Sequence, residues 1–229
     1  MCSECLSDIV SIVPPYCRCC NVPLPETARD AVFCGECRVQ RAELAAVRSV
    51  GLHTGRLREA VLRLKFGGAR RLAPVLASLL YDKVLREADE DGGLPVHEIQ
   101  ALVPAVLHPR RRRWRGFDQA QLIAARLGEL WGLPVLPAVE RVRFTAPQVD
   151  LELQQRRENM RGAFRARPEV SVRDMVVAVV DDVFTTGATL EACAAALRRA
   201  GAKTVYGLTV TRAVPPWHPA AAEHLIHGR

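Results

Sequence analysis

The tightest limits on how this chain can fold come from residues 175–190. This run reads Met-Val-Val-Ala-Val-Val-Asp-Asp-Val-Phe-Thr-Thr-Gly-Ala-Thr-Leu. Its first six residues are apolar and mostly β-branched, which predicts a strand at 175–180 that is covered on both faces of a parallel sheet. A helix is predicted from about residue 188 to 200, ending at Gly201, and a second strand at 204–210. These elements form one βαβ unit, whose ligand site is expected at the carboxyl end of its first strand.

The polar residues of this run predict a sugar-phosphate site. Hydroxyl groups, a glycine and the free N–H groups of a helix start can together bind a phosphate dianion. The binding residues are then Thr185, Thr186, Gly187, Ala188 and Thr189. Asp181 and Asp182 can accept hydrogen bonds from neighbouring ribose hydroxyls, and they are the catalytic candidates because negative charge stabilises an oxocarbenium-like transition state.

Two simpler interpretations of the same run compete with this prediction. Paired acids after an apolar strand can bind Mg²⁺ or receive a phosphoryl group, and a threonine–glycine pair can merely cap a helix. However, the run contains neither the Asp-x-Asp pattern of phosphoryl-aspartate enzymes nor the Gly-Lys-[Ser/Thr] of a Walker loop. The sugar-phosphate interpretation therefore accounts for more of its residues.

A second set of candidate residues is a run of arginines between a strand predicted at 99–107 and a helix predicted at 119–130. Its members are Arg110, Arg111, Arg112, Arg113 and Arg115. Guanidinium groups bind the oxygens of pyrophosphate well, and the position after a strand favours a pyrophosphate loop that Trp114 and Phe117 shield. The alternative is a solvated patch that contacts single-stranded DNA. Lys65, at the end of a helix predicted at 55–64, either reaches the diphosphate or stays solvated.

Seven of the eight cysteines precede residue 38. The pairs Cys17-x2-Cys20 and Cys34-x2-Cys37 have the spacing of a four-thiolate zinc ribbon, so a structural zinc ion is predicted; a degenerate remnant or a redox site is the alternative. A third pair, at residues 2 and 5, has no fourth pair to close a second site and is interpreted as an orphan.

Charge and composition limit the function classes. Residues 1–40 carry three arginines against five acidic residues, although the whole chain carries a net charge of +7. The cysteine module is therefore expected to be a cap or protein-docking surface rather than a DNA-binding element. With 229 residues, 49% of them hydrophobic, and no stretch that is long and apolar enough to cross a membrane, we expect one α/β core with a small appendage, in the cytoplasm.

At residues 179–190 the chain resembles the phosphoribosyl pyrophosphate (PRPP) motif of type I phosphoribosyltransferases. Segments 64–68, 103–120 and 157–164 narrow the resemblance to the ComF family, and the match extends from about residue 17 to 212. The resemblance implies a Rossmann-like type I phosphoribosyltransferase fold with a parallel sheet, preceded by a small zinc-ribbon module. It also implies binding of PRPP with Mg²⁺ and a link to competence, DNA uptake or nucleotide salvage.

The expected organisation is a cysteine module at 1–40, a phosphoribosyltransferase-like domain at 41–214 and a tail at 215–229. The polar segments 146–148 and 154–159 lie where the family places a covering hood, or they belong to an ordinary exposed helix. Three functions remain open: a phosphoribosyl-transferring enzyme, a non-catalytic PRPP or nucleotide sensor that docks a DNA-processing partner through its ribbon, and a protein that binds single-stranded DNA. No residue is evident as a general base.

Overall fold

The computed structural model of the protein describes residues 2–28, 32–39, 43–88, 90, 92–144 and 160–214. The predicted hood segments, the tail and the predicted module boundary at residues 40 and 41 lie outside these residues. Within the described ranges, no helix has the length and apolar character needed to span a membrane.

Helices and strands alternate along most of the chain. The helices are α1 (Ser3–Ser7), α2 (Gly35–Val39), α3 (Gly55–Phe66), α4 (Leu72–Arg86), α5 (Pro109–Arg115), α6 (Gln119–Trp131) and α7 (Ala188–Arg199). The strands are β1 (Val47–Leu52), β2 (Ala101–Pro104), β3 (Val139–Arg141), β4 (Phe164–Ala166), β5 (Val176–Phe184) and β6 (Thr204–Arg212).

A four-stranded parallel sheet with the order β1-β6-β5-β2 forms the centre of the fold. Helices α3, α4 and α6 contribute to the apolar core on one face, whereas α7 and the antiparallel β3–β4 pair contribute to the core on the other. Because both faces are covered, β5 is buried along almost its whole length. The predicted α/β architecture with a parallel sheet is confirmed, and so are the predicted α6, α7 and the strand that follows α7.

Strand β5 is longer than the sequence predicts. The sequence predicts a strand at 175–180 followed by the two acids, but the pairing of β5 with β6 continues to Phe184, which lies opposite Arg212. Asp181 and Asp182 are consequently strand residues, with Asp181 opposite Thr209. Their backbone groups belong to the sheet and not to a turn, so their side chains follow the alternation of a strand.

The arginine run forms a helix and not the predicted loop. Pro109 occupies the first turn of α5, where its missing N–H is not needed, and the His108 imidazole Nδ1 accepts a hydrogen bond from the Arg110 N–H at 3.2 Å. Gly116, with φ of +78°, ends the helix in the left-handed conformation. These local signals allow seven residues to form two helical turns directly after β2.

The N-terminal segment packs directly on β1. The Val47 N–H donates to the Cys19 carbonyl at 2.7 Å, and the Ser49 N–H donates to Asn21 Oδ1 at 2.9 Å. Arg48, 1% exposed, donates to the Arg18 carbonyl at 3.0 Å. The cysteine-containing segment is therefore held at the edge of the sheet by backbone and buried side-chain hydrogen bonds.

Candidate functional site

The two predicted catalytic acids lie near the carboxyl end of β5, where Asp181 is 8% and Asp182 is 3% exposed. Successive strand residues project to opposite faces of the sheet, and the surroundings of the two carboxylates differ accordingly. Asp182 Oδ1 is 2.8 Å from the Lys65 Nζ of α3. Asp181 Oδ1 instead accepts a hydrogen bond from the Asp182 N–H at 2.8 Å, and its carboxylate is electrostatically coupled to Arg141 and Cys193 on the other face.

Burial raises the pKa of Asp181 well above its ordinary value, and the neighbouring Asp182 carboxylate raises it further. The positive charge of Lys65 lowers the pKa of Asp181, but it does not cancel the effects of burial and of Asp182. Asp182 Oδ2 is buried and has no hydrogen-bond partner among the described residues. An ionised oxygen in this position requires a donor or a cation, so the site favours a ligand with hydroxyl groups or positive charge.

Lys65 is at the last turn of α3, and its side chain is 21% exposed. Of the two expectations for this residue, a solvated lysine does not match the ion pair with Asp182. A diphosphate contact stays a prediction.

His53 is a residue that sequence reasoning missed. It follows β1, and its Nδ1 is 2.8 Å from the Thr211 hydroxyl, which in turn donates to the Asp182 carbonyl at 3.4 Å. Burial, then the charges of Lys65 and Arg58, lower the pKa of His53 to about 4. The ring is therefore neutral near pH 7. The available signal was its position as the first polar side chain after a buried strand.

The predicted phosphate residues form the turn between β5 and α7 and the first two positions of α7. Gly187 is in the left-handed conformation with φ of +79°, and a Cβ at this position would lie 2.6 Å from the Phe184 ring. The Thr186 hydroxyl accepts from the Ala188 N–H at 3.4 Å, while Thr185, Thr186 and Thr189 are half-buried. The structure thus brings Thr185, Thr186, Gly187, Ala188 and Thr189 together at the start of a twelve-residue helix.

The five predicted pyrophosphate arginines divide between two faces of α5. Arg111 and Arg115 are one helical turn apart and half-buried, whereas Arg110, Arg112 and Arg113 are exposed. Arg115 Nη1 donates to Gln119 Oε1 at 2.6 Å. Burial lowers the pKa of Arg115, and the nearby charge of Asp182 partly offsets this effect, which places Arg115 beside the acidic end of β5.

The two aromatic residues expected to shield this site have different positions. Phe117 is buried beneath the Arg70 guanidinium, which lies 4.8 Å from the ring centroid. Trp114 is 77% exposed, which is incompatible with shielding a buried site.

Arg141 is a second residue that sequence reasoning missed. It lies on β3, is buried, and donates to Met160 Sδ at 3.4 Å. Burial lowers its pKa, and the nearby Arg111 lowers it further, while Asp181 opposes the change. Arg141 therefore brings a third guanidinium to this end of the sheet. Nothing in the local sequence distinguishes it from the exposed arginines around it.

The four predicted zinc ligands form a cluster. The sulfur atoms of Cys17, Cys20, Cys34 and Cys37 all lie within 4.8 Å of one another. Four converging thiols fit the tetrahedral coordination of a structural zinc ion.

Comparisons with known proteins agree on one group of relatives. The chain is 33% identical to competence protein F of Haemophilus influenzae over 217 residues, which cover 93% of this chain and 90% of that protein. It is 34% identical to DNA utilization protein YhgH of Salmonella typhi, covering 90% and 86% of the two chains. The Escherichia coli K12 protein of the same name is 33% identical, and the match covers 82% of this chain and 80% of that protein.

No protein-family model matches the chain. Among solved structures, purine phosphoribosyltransferase from Pyrococcus horikoshii is 19% identical in sequence, with a TM-score of 0.32. The match covers 62% of this chain and 86% of that protein's chain. A TM-score this low supports no inference about function.

Proposed function

Because this chain belongs to the ComF family of competence and DNA-utilization proteins, we propose that the carboxyl end of its sheet binds PRPP together with Mg²⁺. The observation that carries the proposal is the buried, partnerless Oδ2 of Asp182, whose other oxygen, Oδ1, forms the ion pair with Lys65. A buried carboxylate oxygen without a donor matches a ribose hydroxyl or a cation that arrives with the ligand.

Each part of PRPP has a chemically matched group on the protein. In this proposal the 5-phosphate binds the Thr185–Thr189 turn, whose hydroxyls are half-buried at a helix start. Asp182 accepts hydrogen bonds from the ribose hydroxyls, and Asp181 positions it through the bond to its N–H. Lys65, Arg111 and Arg115 lie on the side from which pyrophosphate would be bound.

Mg²⁺ fits the oxygen-rich donor set of this site, and when bound it would neutralise part of the diphosphate charge. The two carboxylates and the threonine hydroxyls are hard oxygen ligands, in contrast to the thiols of the cysteine cluster. In this proposal Mg²⁺ binds at the carboxyl end of the sheet and Zn²⁺ binds at Cys17, Cys20, Cys34 and Cys37, because the two donor sets differ in chemistry.

If the protein is a transferase, the bond between C1 and pyrophosphate breaks and an acceptor atom forms a new bond to C1. Pyrophosphate leaves with the electron pair, and the acceptor loses its proton to solvent. Positive charge on the sugar stabilises ionised Asp181, whose pKa is raised by burial in the absence of ligand. His53, with a pKa of about 4, is a weak base for this step.

The test of this proposal is calorimetry with PRPP and Mg²⁺ on zinc-loaded protein. We expect saturable binding by the wild type and a loss of affinity of at least about tenfold in Asp182→Asn, because one charged hydrogen-bond acceptor is removed. The control is Asp82→Asn, which changes an exposed acid on α4. Absence of binding by folded, zinc-loaded wild type would overturn the proposal.

Catalysis and sensing are distinguished by turnover. Release of pyrophosphate from PRPP in the presence of a nucleobase, abolished in Asp182→Asn, identifies a glycosyltransferase. Thermal stabilisation by PRPP without pyrophosphate release with any acceptor tested identifies a sensor, which would then dock its DNA-processing partner through the cysteine module.

The outer face of α5 supports a second candidate function, weak binding of single-stranded DNA. Arg110, Arg112, Arg113 and Trp114 are all exposed there, and guanidinium groups next to an aromatic ring suit phosphates and unstacked bases. Binding should fall steeply with salt and weaken in Arg112→Ala but not in Asp182→Asn. Equal DNA binding by wild type and Arg112→Ala would eliminate this function.

A further inference from the structure

Arg212 connects the cysteine cluster with the proposed phosphate turn. It is the last residue of β6 and is 6% exposed. Its Nε donates to the Cys20 carbonyl at 3.0 Å, and its Nη2 is 4.0 Å from Cys20 Sγ. Its Nη1 donates to the Thr185 carbonyl at 2.8 Å. One guanidinium group therefore contacts a predicted zinc ligand and the first residue of the turn.

A second contact extends from Arg212 into the turn. Its guanidinium carbon lies 4.6 Å from the centroid of the Phe184 ring. That ring lies so close to Gly187 that a Cβ there would approach it to 2.6 Å. Arg212 therefore stacks on a ring that packs against the backbone of Gly187, the residue that caps the start of α7.

We propose that Arg212 is a positioning residue through which metal bound at the four cysteines raises the affinity of the turn for a phosphoribosyl ligand. The inference rests on the proposed function, since it concerns the same turn. A metal ion crosslinks Cys17, Cys20, Cys34 and Cys37 and so holds the Cys20 carbonyl in place. When the crosslink is lost, the buried guanidinium loses a partner, and its remaining partners are carbonyl groups of the turn and its neighbours.

The coupling must be reciprocal. If metal at the cysteines strengthens ligand binding, the ligand strengthens metal binding by the same factor. The contact with Cys20 Sγ also predicts a spectroscopic effect, because a donor near a thiolate sulfur changes the electron density that the sulfur offers to a metal ion. Ligand binding at the turn should therefore be detectable at the cysteines.

The experiment uses the full chain loaded with Co²⁺ in place of Zn²⁺, so that absorption bands report on the four sulfurs. Addition of PRPP with Mg²⁺ should shift these bands in the wild type. In Arg212→Lys, which keeps the charge but loses the planar fork, PRPP at saturating concentration should leave the bands unchanged. In parallel, calorimetry measures the affinity for PRPP and Mg²⁺ of two samples. One is the zinc-loaded protein, and the other is protein whose zinc has been removed with a chelator and from which the chelator has then been removed.

We expect zinc removal to weaken PRPP binding by at least about fivefold in the wild type, with recovery on reloading, and to have little further effect in Arg212→Lys. If the metal-free protein unfolds, the cobalt spectra decide alone. The matched control is Arg48→Lys, which alters another buried arginine bonded to the cysteine segment, at the Arg18 carbonyl, but not bonded to the turn.

The outcomes separate the two proposals. If zinc-loaded wild type does not bind PRPP, the proposed function fails. If it binds PRPP with unchanged cobalt bands and with an affinity independent of zinc, the Arg212 inference alone is overturned. Equal loss of affinity in Arg48→Lys and Arg212→Lys would also overturn it, since general destabilisation would then account for both.

Discussion

The turn that begins α7 and the arginine helix α5 lie at the carboxyl ends of neighbouring parallel strands, β5 and β2, yet different physical features determine their geometry. In the turn, the backbone is decisive: Gly187 is left-handed and packed against the Phe184 ring. Helix α5 contains five arginines, and the position of each arginine around the helix determines whether its side chain is half-buried or exposed.

This difference indicates where each region is sensitive to change. The turn depends on backbone positions that a single methyl group can disturb, so conservative substitutions there should have large effects. In α5, exchange of an arginine should matter only on the face that carries Arg111 and Arg115. Three of the four predictions below test this contrast, and one concerns His53; they run from the largest expected effect to the smallest.

Gly187→Ala should lower the free energy of unfolding by about 2 to 4 kcal/mol, since the new methyl group combines left-handed strain with a clash against Phe184. Urea denaturation measures the change. Gly132→Ala is the control, because Gly132 is also left-handed, with φ of +67°, but a Cβ there has no atom within 4 Å. It should cost only about 1 kcal/mol. Equal costs would show that the contact with Phe184 is unimportant.

Arg115→Lys should weaken binding of PRPP and Mg²⁺ by about tenfold, or 1.4 kcal/mol, because a lysine cannot form the two parallel hydrogen bonds of a guanidinium. Arg112→Lys, on the exposed face three residues earlier, should leave the affinity unchanged. Calorimetry compares the two variants. A larger loss in Arg112→Lys would contradict the division of α5 into a ligand face and a solvent face.

His53 should make the protein less stable in acid. Its pKa is about 4 in the folded protein against about 6.5 when unfolded, so between these values the unfolded chain binds more protons. The free energy of unfolding should therefore fall as the pH drops from 6.5 to 4, by about 1 kcal/mol once solvent screening of the half-buried ring is included.

The measurement for this prediction is urea denaturation of wild type and His53→Gln at several pH values. The difference between the two proteins isolates His53, because the raised pKa of Asp181 has the opposite effect and is common to both. A difference that does not change between pH 6.5 and 4 would mean that His53 is not held neutral by its surroundings.

Trp114→Ala should have the smallest effect, a change within about 0.5 kcal/mol in the free energy of unfolding and none in PRPP affinity. The ring is 77% exposed, so little packing is lost on its removal. The same urea and calorimetric measurements apply. A loss of PRPP affinity would return Trp114 to the shielding role that the structure does not support.

Much of the βαβ unit was predictable because its signals are local. An apolar β-branched run, a glycine after the threonines and Gly201 after the helix identified β5, α7 and β6 with errors of only a few residues. The four cysteines were predictable from spacing alone, since two CxxC pairs can reach one metal ion once the chain between them turns back. Helix α5 was missed, although Pro109 and Gly116 were available as its boundary signals.

The amino-acid sequence by itself determined the order of elements, the residue types of the turn and the four converging thiols, because short-range spacing decides these features. Only the tertiary structure decided that Lys65 pairs with Asp182 and that Arg212 joins Cys20 to Thr185. These contacts link residues that are far apart in the sequence. Many other basic residues of the chain have the chemistry to form them. Their selection depends on which side chains the parallel sheet brings to its carboxyl end.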